Sequence, residues 1–90
     1  MKHYNISVFG KVQGVFYRAN TKTKAVELGV KGFVKNQSDG SVYIEAEGNE
    51  ERLKKLVEWC NRGPSNAVVT QVKVVEAETV GFDKFETKYF

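Results

Sequence analysis

Near the start of the chain, apolar Tyr4, Ile6 and Val8 alternate with Asn5 and Ser7. This period of two predicts a half-buried strand ending near Phe9. A glycine-containing run follows. From about Phe16 to Leu28 the period lengthens, with Tyr17, Thr21, Ala25 and Leu28 at helical spacing and Gly29 where a helix stop belongs. Val30 to Asn36 and Ser41 to Glu47 read as two strands joined by Gln37-Ser38-Asp39-Gly40, whose Asp-Gly pair supplies turn chemistry. Val42, Ile44 and Ala46 form one face of the second of these strands. Asn49 is the expected N-cap of a second helix, with Glu50 and Glu51 in its first turn and Leu53, Leu56, Val57 and Cys60 as its apolar stripe. Gly63-Pro64 ends it. The valine-rich segment Val68 to Ala77 and the alternating Phe85, Thr87 and Tyr89 complete the set as two further strands.

The predicted order is strand, helix, strand, strand, helix, strand and a final strand. It implies an α+β class, the ferredoxin-like two-layer sandwich, with an antiparallel sheet, both helices on one face and an extra C-terminal strand. Ninety residues suit one domain, spanning 1–90. That fold serves metal binders, RNA binders, sensors and enzymes alike, so function must come from a site.

Composition narrows the field only slightly. The apolar fraction of 41% and charged fraction of 28% are those of an ordinary globular chain. There is no uninterrupted apolar stretch of membrane length, and Met-Lys-His-Tyr-Asn-Ile-Ser lacks the apolar core of a signal peptide, so a cytoplasmic setting is expected. The single cysteine, Cys60, excludes an internal disulfide and a cysteine-based zinc site, and is expected to be a small buried hydrophobe. Trp59 beside it is expected to cover the edge of the core. A net charge of +3 favours anions in general and is too small to imply nucleic acid.

The candidate chemistry lies in Gly10 to Arg18, Gly-Lys-Val-Gln-Gly-Val-Phe-Tyr-Arg, a strand-to-helix junction with two glycines and an arginine but no Ser, Cys, His, Asp or Glu. Convergent N–H groups, the positive end of the following helix and the planar fork of Arg18 suit a phosphate or carboxylate. A tight turn followed by a solvated arginine is the plainer reading of the same residues. The spacing fits neither a Walker A loop nor a dinucleotide-binding fingerprint. Asn36, before Ser38-Asp39-Gly40, reads equally as an ordinary turn residue. His3, far from both segments, is expected to be an exposed strand residue.

The run Gly10 to Arg18 resembles the first signature of the acylphosphatases. Gly32-Phe33-Val34-Lys35-Asn36-Gln37-Ser38-Asp39-Gly40-Ser41-Val42, continuing to Gly48, resembles their second. The likeness extends to Gly63-Pro64 and the aromatic C-terminus. It departs at Tyr17, where the family commonly has Phe, and at Phe90, which extends beyond the expected aromatic end. The resemblance implies a metal-free, cofactor-free hydrolase of the carboxyl–phosphate bond of acyl phosphates, with inorganic phosphate as product and competitor. It also implies that Arg18 and the backbone amides of Gln13, Gly14, Val15, Phe16, Tyr17 and Arg18 bind phosphate, and that Asn36 orients the attacking water. No nucleic-acid or membrane partner is expected, and the chain is expected to act as a monomer.

Two rivals remain, the first of which uses the same loop. A regulatory domain would bind a phosphate or carboxylate without turnover. An RNA-recognition module shares the element order, and Lys31-Gly32-Phe33 begins like its RNP1 motif, but Val34, Lys35 and Asn36 break the match.

Overall fold

The computed structural model describes residues 1–89; Phe90 lies outside the described residues. Its elements are β1 (Lys2–Lys11), α1 (Tyr17–Leu28), β2 (Lys31–Asn36), β3 (Val42–Gly48), α2 (Glu50–Arg62), β4 (Val68–Ala77) and β5 (Phe85–Lys88). The sheet order is β4-β1-β3-β2-β5, with β1, β3 and β2 each flanked on both sides. This is the expected ferredoxin-like α+β sandwich. Ile6, Val8, Val34, Val42, Ile44 and Ala46 are buried with Ala25, Leu53, Leu56 and Cys60. The alternation along β1, β2 and β3 therefore places their apolar sets beneath the helices, whereas Val68, Val74 and Val75 of β4 are exposed.

The helix ends follow local chemistry. Asn49 caps α2 by accepting the Arg52 N–H at 2.9 Å, with Glu50 and Glu51 in the first turn. Gly29, at φ 71°, closes α1 by donating to the Ala25 and Val26 carbonyls. Tyr17, Thr21 and Ala25 are the buried residues of α1. The tyrosine that departs from the family pattern has a use, since Tyr17 Oη donates to the Cys60 carbonyl at 2.8 Å and its ring packs 5.3 Å from Trp59. It joins the two helices.

Three features differ from the expectations. First, β1 does not stop near Phe9 but continues to Lys11 through an irregularity between Phe9 and Gly10. Gly10 has φ 122°, and a Cβ there would lie 2.1 Å from the Val68 carbonyl oxygen. Its glycine is thus required by the close approach of β4. Second, the sheet is antiparallel at β1·β3, β1·β4 and β2·β3, whereas β5 pairs with β2 in parallel. The chain leaves β4 at one edge and joins the opposite edge, so it must cross the sheet before forming β5.

That crossing explains the third difference. His3 is 1% exposed, not a solvated strand residue. The residues before β5 cover it: its ring stacks on Phe82 at 5.9 Å, and its Nδ1 and Nε2 lie 2.7 Å from Glu47 Oε2 and Asn5 Oδ1.

Candidate active site

Between β1 and α1 the chain turns through Gly14 at φ 72° and Phe16 at φ 62°. Phe16 is a non-glycine residue in the left-handed region, a conformation costing on the order of 1–3 kcal/mol that must be held by its surroundings. It occupies the N-cap position of α1 without a side-chain cap, and its ring is 77% exposed. Among the described residues, none of the N–H groups of Gln13, Gly14, Val15, Phe16, Tyr17 and Arg18 has an acceptor. Left-handed turns and an uncapped helix start have the same effect: they free successive N–H groups at the positive end of a helix.

Val12, Gly14, Phe16, Tyr17 and Arg18 share the wall of a cavity of about 700 Å³ with Asn36 and with residues of β5. Arg18 is half-buried rather than freely solvated. One guanidinium nitrogen, Nη1, donates to the Lys88 carbonyl at 3.1 Å, and the group lies 4.6 Å from the Tyr89 ring centre. One donor and one face of the fork are thus fixed by the residues at the end of β5, and its other donors have no acceptor among the described residues.

Asn36 ends β2 on the same cavity, and its Oδ1 is buried without a hydrogen-bond partner among the described residues. The adjoining turn is held by other groups. Gln37 N–H donates to the Ser41 carbonyl at 2.9 Å, and Ser41 N–H donates to Asp39 Oδ1 at 2.9 Å. Gln13 Nε2 crosses from the first loop to the Gln37 and Ser41 carbonyls at 2.8 and 2.9 Å. The two sequence motifs are therefore tied together by a side chain that the sequence reading used only for its backbone amide. Nothing in the pattern around Gln13 signals that bond, since its acceptors lie 24 and 28 residues away.

A family model described as Acylphosphatase matches residues 4–87. The chain belongs to the acylphosphatase family. It is 48% identical over 90 residues to an acylphosphatase of Marinobacter nauticus, covering 99% of this chain and 98% of that one. An acylphosphatase of Thermotoga maritima is 47% identical over 90 residues, with all of both chains covered. The crystal structure of the acylphosphatase from Bacillus subtilis superposes with a TM-score of 0.95 at 38% identity, covering 99% of this chain and 100% of that one.

In this acylphosphatase domain the expected site residues Gly14, Phe16, Tyr17, Arg18 and Asn36 line the cavity, whereas Gln13 and Val15 do not. Lys22 and Lys84, which the sequence reading passed over, also line the cavity. Lys22 stands four residues after Arg18, a helical spacing that could have indicated a shared face. Lys84 had no such signal. Cys60 is buried, and burial pushes its thiol up to about 12, so it takes no part in the site. Among the described residues no helix is long and apolar enough to cross a membrane.

Proposed function

We propose that the N–H groups of Gln13 to Arg18 and the free donors of Arg18 hold the phosphoryl group of an acyl phosphate, while the Asn36 carboxamide positions the water that attacks it. The overall reaction follows from family membership along nearly the whole chain: the protein is an enzyme that hydrolyses acyl phosphates. Water adds to phosphorus in line with the carboxyl oxygen, the phosphorus–oxygen bond to the acyl group breaks, and a carboxylate leaves with inorganic phosphate. A carboxylate is a stable leaving group and needs little proton donation. Phosphoryl transfer through a loose transition state asks mainly for alignment and charge stabilisation. An amide does not act as a base, so the proton of the attacking water goes to a phosphoryl oxygen.

The observation that carries this reading is the row of acceptor-free N–H groups beside a cavity shared with Arg18 and the unpartnered carboxamide of Asn36. Such groups fit an anion, and no observation favours a module that binds without turnover or one that binds RNA. The proposed enzyme works as a cytoplasmic monomer, without a metal or other cofactor. Purified protein is expected to hydrolyse benzoyl phosphate, to be inhibited competitively by inorganic phosphate and to keep its rate in EDTA. A folded protein with no turnover would return the site to simple anion binding, and a requirement for a divalent ion would overturn the metal-free route.

A further inference from the structure

Val8 and Val42 form the last pair joining β1 to β3. Past them the strands separate: Gly10 and Lys11 stay paired with β4, while the chain before Val42 turns back to Asn36 of β2. The main-chain ladder between the phosphoryl loop and the hairpin that carries Asn36 therefore stops short of the site. Among the described residues one side chain spans the gap, with Gln13 Nε2 donating to the Gln37 carbonyl at 2.8 Å and to the Ser41 carbonyl at 2.9 Å. Both N–H bonds of that carboxamide nitrogen are used across the base of one turn. The Ser41 carbonyl also accepts the Gln37 N–H at 2.9 Å, which belongs to the peptide following Asn36. Gln13 is thus one hydrogen-bonded group away from the Asn36 backbone, and the Asn36 side chain makes no hydrogen bond of its own among the described residues. The two sides of this tether differ in what else holds them. Val12 and Val15, flanking Gln13, are buried in the core, whereas Ser38, Asp39 and Gly40 at the tip of the turn are exposed. Loss of the tether therefore loosens the hairpin more than the loop.

Resting on the water-positioning reading of Asn36 above, we infer that Gln13 is a positioning residue for the hydrolysis: its side chain sets the separation of Asn36 from the phosphoryl loop and so aligns the attacking water. Gln13 is not on the cavity wall, and its carboxamide acts through Asn36 alone. Without the tether, the loop amides and Arg18 keep their places while Asn36 drifts. Phosphate affinity then depends little on the Gln13 side chain. The rate depends on it strongly, since a displacement of about 1 Å in an aligning group costs up to about 100-fold.

Gln13→Met keeps the length and bulk of the side chain without its donors. With benzoyl phosphate it is expected to lower kcat about tenfold, while the inhibition constant of inorganic phosphate stays within about twofold of the wild type. On an Asn36→Ala background the same substitution is expected to cost no more than about twofold, because the residue through which Gln13 acts is gone. Gln13→Asn, whose carboxamide falls one methylene short of the two carbonyls, is expected to repeat the pattern, and it carries the comparison if the methionine protein does not fold. A tenfold cost on both backgrounds, a phosphate constant that weakens in step with kcat, or a normal kcat in a folded Gln13 variant overturns the inference while leaving Asn36 and the hydrolase reading intact. Normal turnover in Asn36→Ala, or none in the wild type, overturns both.

Discussion

Arg18 combines three geometric demands that a lysine cannot meet together: a donor to the Lys88 carbonyl, a flat face against Tyr89, and further donors left for a ligand. Arg18→Lys is expected to lower kcat/KM by about a hundredfold or more, the scale of losing one oriented donor in a transition state. Near-normal kinetics in a folded lysine variant would remove Arg18 from the phosphoryl site. For Asn36 the discriminating change is to alanine. Its side chain makes no hydrogen bond among the described residues and its Oδ1 is already orphaned there, so Asn36→Ala should leave the melting temperature within a few degrees. Activity should nevertheless fall about a hundredfold. Asn36→Asp should do at least as badly, because a carboxylate some 5 Å from the phosphoryl group adds a repulsion of about 3 kcal/mol at an effective dielectric constant near 20. A large loss of stability with normal turnover would identify a turn residue instead. Both residues were legible in the two motifs. Their settings were not, since the partners of Arg18 lie near the far end of the chain and the bridge from Gln13 spans both motifs.

The elements themselves were legible because their periods are clean, and their ends shifted by only a residue or two. What local patterning concealed was the segment between β4 and β5. Glu45 and Glu47 alternate with the core residues of β3, which reads as a solvated face, yet Glu47 is 2% exposed. Its carboxylate accepts N–H groups from Val80, Gly81 and Phe82 and pairs with His3. Burial by itself would raise the Glu47 pKa; the bonds from His3 and the three backbone donors outweigh it and hold it down to about 2. One carboxylate thus pins the crossing segment that delivers Lys84 and β5 to the cavity. Glu47→Gln preserves shape but turns one acceptor into a donor facing other donors. The expected cost is about 3 kcal/mol, or a fall of more than about 10 °C in melting temperature, with faster amide exchange at residues 80–82. A drop of only a degree or two would show that the segment is held by Phe82 packing alone.

At the scale of the whole molecule, the sandwich could be read from element order because antiparallel neighbours and short connections leave few alternatives. The parallel β5 edge could not, as its direction depends on where the crossing segment runs. That crossing also sets how stability should vary with pH. Glu47 has a folded pKa below its unfolded one, so its contribution is complete above about 4.5, the unfolded value, and disappears as pH falls toward about 2. For His3 the sign is reversed. Burial alone would lower its pKa, but the bond to Glu47, the contact with Asn5 and the nearby Glu45 charge together raise it above 6.5. Both ring nitrogens face oxygen acceptors, which fits an imidazolium. Its contribution is therefore complete below pH 6.5 and is lost as pH rises through the higher folded value. Buried Cys60 adds a limb of the same sign further up, full below 9.0 and lost toward about 12. Circular-dichroism melting should thus give a plateau between about pH 4.5 and 6.5, a fall on the acid side that Glu47→Gln makes shallower, and a decline between about pH 6.5 and 9.0 that disappears in His3→Gln, leaving the Cys60 limb above it. A melting temperature that climbs steadily from pH 5 to 8 would mean that His3 is neutral in the fold, and that the pair it forms with Glu47 is an uncharged hydrogen bond.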